Sequence, residues 1–93
     1  MAQNKNIIGP PIRRLRCQRE LTQRALAVKL QLAGWWIDRA GVSKIEGGRV
    51  RVHDYRQLYL ASVLRVSVED LFPAIAPTEQ IDGAVNDLMK KRR

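Results

Sequence analysis

Apolar residues recur along the chain at helical spacing, beginning near the amino terminus. Pro10 and Pro11 suit a first helical turn, because the N–H that proline lacks has no partner there. Ile12 and Leu15 follow three positions apart and form one apolar edge. The pattern predicts a first helix that runs to about residue 19.

Two further helices have suitable polar caps. Thr22 can cap a second helix that ends near Gln31, and Asp38 can cap a third that Gly47 and Gly48 end. Each carries its apolar residues on one side, which we expect to be buried: Leu26, Ala27 and Leu30 in the second, Val42 and Ile45 in the third.

The remaining sequence predicts three more helices. A fourth starts at His53 or Asp54, and Ser67 with Asp70 has the form of a capping box for a short fifth that ends at Pro73. The fourth is expected to bury Leu58, Ala61 and Leu64. A sixth, amphipathic helix beyond Pro77 has an apolar stripe of Ile81, Val85, Leu88 and Met89. Since no segment alternates like a strand, the fold class is predicted to be all-α.

The composition of the chain predicts a single hydrophobic core and favours a polyanion as the binding partner. The chain has 93 residues, of which 45% are hydrophobic, enough for one small domain. Its net charge is +8, and residues 1–65 hold 13 Lys and Arg against 4 Asp and Glu. Such a surplus favours nucleic acid, because Lys and Arg near phosphates release condensed counterions.

Several other classes of protein are disfavoured. No stretch approaches the roughly 20 apolar residues of a membrane span, and the first residues lack a signal-peptide core, so a cytoplasmic protein is expected. Cys17 and His53 are each the sole residue of their type, which argues against a disulfide and a metal site. No nucleophile motif or phosphate-binding glycine loop is present. We expect no enzyme, no cofactor and no metal.

Five short motifs occur in a specific order between about residues 8 and 72. They are IRRLR, LTQ-x-x-LA-x-x-L, VSKIEGG, a basic loop and LYLASVLRVSVEDLF. This order resembles the phage-repressor helix-turn-helix family, also called Xre or lambda-repressor-like. The resemblance implies a compact five-helix domain over residues 8–73. We also expect a flexible arm (1–7) before this domain and a linker and helical tail (74–93) after it, and the tail lies outside the resemblance.

The resemblance also implies a function. Such a domain places its recognition helix, here about residues 38–46, in the major groove of double-stranded DNA, and it acts as a transcriptional regulator of bacterial or phage type. A homodimer on DNA, associated with the nucleoid, is then expected. The alternative is a protein-interaction module, such as an antitoxin or an adaptor, that uses the same fold to bind a protein partner.

Matching the motif position by position assigns roles to individual residues. The base-reading positions are Arg39, Ala40, Ser43 and Lys44, of which Arg39 is favoured because a guanidinium can bind O6 and N7 of guanine together. The positions expected at DNA phosphates are Arg13, Arg14, Thr22, Gln23, Arg49 and Arg51. Arg16 and Glu46 match a structural ion pair.

The turn before the recognition helix is longer than in the compact form of the family. Twelve residues separate Leu30 from Ser43, and they include both tryptophans. We expect Trp35 or Ile37 to fill the junction and Trp36 to face outward, where it packs on arginine stems or contacts a phosphate or a partner. Gly41, inside the helix, indicates either close approach to DNA or tolerance of its helix-propensity cost.

The tail has the one apolar stripe not assigned to the core. Its four residues (Ile81, Val85, Leu88 and Met89) and Trp36 are therefore the candidate interface positions. Either the stripe forms a dimer contact, or it folds back over the domain, or the helix frays with its KKRR end near phosphates.

Overall fold

The computed structural model describes residues 4–73 as four α-helices followed by a single 3-10 helix. The helices are α1 (Gly9–Gln18), α2 (Gln23–Ala33), α3 (Arg39–Glu46) and α4 (Asp54–Leu64), and the 3-10 helix spans Val68–Leu71. The all-helical class is thus confirmed for this part of the chain. The prediction of a fifth α-helix was wrong, because the capped segment after α4 forms a single turn of 3-10 helix. The predicted sixth helix lies outside the described residues.

Polar caps set the starts of three elements where the sequence placed them. The hydroxyl of Thr22 accepts a hydrogen bond from Ala25 N at 3.0 Å. A carboxylate oxygen of Asp38 accepts from Gly41 N at 2.8 Å, and Ser67 and Asp70 form the predicted capping box. These bonds satisfy backbone donors that the first helical turn leaves unpaired, so each helix start is fixed locally.

Helix α2 is longer than predicted. It continues past Gln31 to Ala33 and ends at Gly34, whose φ of 113° is left-handed. There Trp35 N donates to Leu30 O at 2.9 Å and Gly34 N donates to Gln31 O at 3.0 Å. Gly34 is the first residue after Leu30 that adopts this conformation without strain, so the helix absorbs part of the lengthened turn.

The core lies where the four α-helices cross. Every α-helix contributes, and the buried hydrophobic residues are Ile8, Ile12, Leu15, Leu26, Ala27, Leu30, Trp35, Val42, Ile45, Leu60, Ala61, Leu64 and Leu71. Within residues 4–73 no helix combines the length and the apolar character needed to cross a membrane.

The buried face of α4 differs from the one predicted. Leu58 is 60% exposed, and Leu60 is buried in its place together with Ala61 and Leu64. At 3.6 residues per turn, Leu58 lies roughly 110° around the helix from the centre of the face that the other three share. The i, i+3 spacing of Leu58 and Ala61 was therefore misleading, because the true stripe begins two residues later.

Candidate nucleic-acid interface

Helix α3 has two faces of opposite character. Val42, Ile45 and Glu46 are buried against the other helices. The predicted base-reading residues are on the other side: Arg39, Ala40 and Lys44 are exposed, and Ser43 is half-buried. Positions three and four apart share a face of a helix, so these four side chains lie on one continuous face that is polar except for the methyl group of Ala40.

The predicted partners Arg16 and Glu46 form a two-pronged ion pair. Arg16 Nε lies 2.6 Å from Oε2 of Glu46, and Nη2 lies 3.1 Å from Oε1. The pair is largely shielded from water, since the two side chains are 11% and 4% exposed. The hydrogen bond to Glu46 raises the pKa of Arg16 above its ordinary value. A third guanidinium bond reaches Leu21 O at 2.6 Å, so α1 is joined to the end of α3 and to the start of α2.

Gln23, expected at a DNA phosphate, also contacts this ion pair. Its amide nitrogen donates to Oε1 of Glu46 at 3.1 Å, and its side chain is half-buried. Thr22, the other expected phosphate residue at this helix start, is exposed and caps α2. Matching the motif did not identify the contact between Gln23 and Glu46, because the two residues are 23 positions apart in the sequence.

The two tryptophans of the turn point in opposite directions, as the alternation predicted. Trp35 is 6% exposed and belongs to the core, whereas Trp36 is 88% exposed. The guanidinium of Arg56 lies 4.8 Å from the centre of the Trp35 ring, and the Tyr59 ring centre lies at 6.3 Å. Gln31 Nε2 donates to Ile37 O at 2.7 Å and ties the turn to α2. Side chains from α2 and α4 therefore hold the turn before α3.

The structure explains Gly41 in a way that the sequence did not predict, since the sequence suggested only close approach to DNA or tolerance of the propensity cost. A Cβ atom at this position would lie 2.6 Å from Cγ1 and 3.1 Å from Cδ1 of Ile37. A Cβ atom essentially never comes within 3.0 Å of a non-bonded heavy atom of another residue, so glycine makes room for Ile37 inside the turn.

Asn6 is a positioning residue that the sequence analysis missed. Its amide nitrogen donates to Val50 O at 2.7 Å and to Ile45 O at 3.2 Å. Its amide oxygen accepts from Gly9 N at 2.9 Å. An asparagine three residues before a helix start is a recognisable capping signal, but its two long-range bonds are not visible in sequence. Asn6 therefore joins the start of α1 to the last turn of α3 and to the loop that follows it.

Gly9 allows α1 to approach α3 closely. A Cβ there would lie 2.5 Å from Ile45 O and 2.6 Å from Glu46 O, so the backbones meet with no room for a side chain. The segment before α1 continues this contact, because Lys5 N donates to Gly48 O at 2.8 Å.

The predicted phosphate residues fall into separate groups. Arg49 is exposed, and its Nη2 lies 3.4 Å from the hydroxyl of Ser43, over the end of α3. Arg51 is exposed in the loop that follows, and Arg13 and Arg14 are exposed on α1. The four predicted interface residues of the tail lie outside the described residues.

An open groove runs along one side of α3. It has a volume of about 710 Å³, and its exposed or half-buried lining includes Trp36, Lys44, Arg51, His53, Tyr55 and Arg56. We call it the α3 groove. The rings of His53 and Tyr55 stack within it, with centres 5.9 Å apart and planes 5° from parallel. Lys44 belongs both to this groove and to the polar face of α3.

A known protein family matches the same part of the chain that holds the five sequence motifs. Residues 8–72 match a family model described as a helix-turn-helix domain. The chain is similar to the restriction-modification controller protein C.AhdI from Aeromonas hydrophila, known from a high-resolution crystal structure. The two share 31% identity and a TM-score of 0.61, over 70% of this chain and 87% of that one. No curated protein sequence matches the chain.

Proposed function

The chain belongs to the helix-turn-helix domain family, and we propose that it binds double-stranded DNA sequence-specifically and regulates transcription. The observation that carries this proposal is the division of α3 into a buried apolar face and an exposed polar face. Such a helix can enter a major groove while its other side stays fixed to the domain. The similarity to a restriction-modification controller protein supports a regulatory role.

In this proposal α3 reads the bases. Arg39, Ala40, Ser43 and Lys44 face the base edges, and Arg39 binds a guanine through two hydrogen bonds. Ala40 is small enough to let the helix sit deeply or to contact a thymine methyl group. The ion pair of Arg16 and Glu46 keeps the end of this helix at a fixed distance from α1.

The cationic side chains around α3 position the domain on the phosphate backbone. Arg49 and Arg51 follow the recognition helix, Arg13 and Arg14 extend the surface along α1, and Thr22 with Gln23 forms the start of α2. The backbone N–H groups of this first turn of α2 also favour an anion. These contacts strengthen binding to every sequence and carry no base preference themselves.

We further propose that the protein acts as a homodimer on DNA, in the cytoplasm and without a cofactor or a catalytic step. An eight-residue recognition helix contacts only a few base pairs, so two copies on adjacent half-sites give useful specificity. The tail stripe is the proposed dimer contact. Changing Val85 and Leu88 together to serine should lower the molar mass in solution and weaken binding to a two-half-site duplex. Unchanged mass with a clear loss of stability would instead favour a stripe that packs back on its own domain.

Selection of bound sequences from random duplexes tests the whole proposal. A two-fold symmetric consensus is expected, because paired recognition helices would bind half-sites about one helical turn apart. A consensus without symmetry would retain DNA binding and reject the dimer. If no sequence is enriched, the protein-interaction module becomes the better explanation of the fold.

A further inference from the structure

Trp36 exposes 88% of its surface at the edge of the α3 groove. Tyr55 lines the same groove and is 51% exposed. Large aromatic side chains are enriched at interfaces, because they supply much contact area at a small conformational cost. A ring that is this exposed to water is therefore a candidate contact residue. Tyr55 has no role in the recognition surface described so far, and Trp36 is a candidate interface position whose partner the sequence left open. Both rings are therefore available for a contact.

The charges beside these rings indicate the occupant. Lys44, Arg51 and Arg56 line the groove, and the one acidic lining residue, Asp38, already accepts a hydrogen bond from Gly41 N. The groove therefore combines cations with apolar ring faces. A sugar-phosphate strand has the matching chemistry, because its phosphates are anionic and its deoxyribose rings have apolar faces.

A second copy of this chain is a poorer match for the groove. Residues 4–73 hold 13 Lys and Arg against 6 Asp and Glu, so two such domains repel one another unless specific acidic groups meet the groove. DNA, in contrast, gains from every cation that lies beside it.

Arg56 is held in a fixed orientation at the inner wall. Its guanidinium lies 4.8 Å from the Trp35 ring centre and 5.5 Å from that of Tyr55, and its Nε donates to the Tyr55 hydroxyl at 3.2 Å. A guanidinium held between rings loses little freedom when it binds a phosphate. The lengthened turn therefore places a buried tryptophan beneath a cation and an exposed tryptophan beside it.

We propose that the α3 groove receives one sugar-phosphate strand of the bound duplex, with Trp36 and Tyr55 packed against deoxyribose and Arg56 paired with a phosphate. This inference rests on the proposed DNA binding and adds residues that the family resemblance did not assign. It explains the exposed tryptophan as a contact made only in the complex.

Tryptophan fluorescence tests the contact directly, using the full chain and its selected duplex. The emission of the wild type minus that of Trp36→Phe reports on Trp36, since Trp35 is common to both. Acrylamide should quench this component readily in the free protein and much less in the complex. Undiminished quenching in a saturated complex would overturn the inference while leaving DNA binding intact. Protection that appears without DNA, and grows with protein concentration, would show a second copy in the groove instead.

Affinity provides the second measurement. Trp36→Ala should weaken duplex binding by about fivefold to tenfold, the effect of returning on the order of 50 Å² of apolar surface to water. Trp36→Phe should lose less, because it keeps a ring. Leu32→Ala is the matched control, since Leu32 is 83% exposed on α2 and outside the groove. Equal affinity of Trp36→Ala and Leu32→Ala would reject the contact.

The salt dependence of DNA affinity distinguishes a phosphate contact of Arg56 from its packing on the aromatic rings. Arg56→Gln should reduce the slope of log affinity against log salt by about 0.9, and Arg56→Lys should restore it, because the slope counts neutralised phosphates. An unchanged slope for Arg56→Gln would remove Arg56 from the interface. If the wild type binds no duplex at all, the proposed function fails first and this inference fails with it.

Discussion

Ile37 and Gly41 lie so close that no side chain fits at the second position: a Cβ on residue 41 would come within 2.6 Å of Cγ1 of Ile37. Ile37 belongs to the turn before the recognition helix and packs on the core. The glycine therefore lets one apolar side chain of the lengthened turn lie against the recognition helix that follows it.

Replacing Gly41 with alanine should destabilise the domain although alanine is the better helix former. The propensity gain is about 1 kcal/mol, and overpacking typically costs about 1–3 kcal/mol. We expect a small net loss in the free energy of unfolding, measured by urea denaturation. In an Ile37→Ala background the same change should be neutral or stabilising, because the clashing atom is gone. Identical effects in both backgrounds would mean that Ile37 is not the reason for the glycine.

Removing either partner of the ion pair between Arg16 and Glu46 should be costly. Arg16→Met leaves a carboxylate that is 4% exposed without its cation, which costs about 3–5 kcal/mol of unfolding free energy. Arg13→Met, on the exposed side of the same helix, is the control and should change stability by less than about 0.5 kcal/mol. The double variant Arg16→Met with Glu46→Leu should recover much of the loss, and a double variant as unstable as the sum of its singles would contradict a direct pair.

Asn6→Ala should destabilise the domain by about 1–3 kcal/mol, because two carbonyls and one N–H lose a partly buried partner. Asn4→Ala, at an exposed neighbouring position, should have little effect. Asn6→Asp keeps the acceptor for Gly9 N but places a carboxylate oxygen beside two carbonyls, so it should rescue nothing. Chemical denaturation measures the stability of the three variants. Equal stability of the two alanine variants would show that the hydrogen bonds of Asn6 do not stabilise the domain.

Arg39→Ala should weaken binding to the preferred duplex by about 1–3 kcal/mol and relax selectivity at one base pair. Competition binding against duplexes substituted at each position measures both effects. Lys29→Ala, which removes an exposed cation of α2, should leave the base preference unchanged. Equal losses on preferred and random DNA would assign Arg39 to the phosphate backbone.

Arg49→Ala should weaken binding to all duplexes alike and lower the salt slope by about 0.9, because one fewer phosphate is neutralised. Arg49→Lys keeps the charge and should retain the slope. Melting of the free proteins serves as a check, because Arg49 also lies over the end of α3 and contacts Ser43. A loss confined to one base pair would instead make Arg49 a base reader.

The sequence by itself determined the features that depend on near neighbours. Thr22 and Asp38 were predicted as caps from their residue types just before a helical pattern. The prediction was possible because a cap is local: each side chain bonds an N–H only three residues along the chain. The inward face of α3 followed from the spacing of Val42 and Ile45, and the opposite directions of Trp35 and Trp36 followed from alternation in an extended turn. The resemblance to a known family then paired Arg16 with Glu46, which spacing alone does not do.

Only the tertiary structure decided which distant atoms meet. Asn6 reaches Val50, Gln23 reaches Glu46, and Gly9 admits the carbonyls of α3, through contacts 23 or more residues apart in sequence. The wrong assignment of Leu58 has the same origin, because the side of α4 that is buried depends on where the other helices lie. Local propensity fixes where a helix begins, but the way helices cross fixes which side chains are enclosed and which, like Trp36, remain open to a partner.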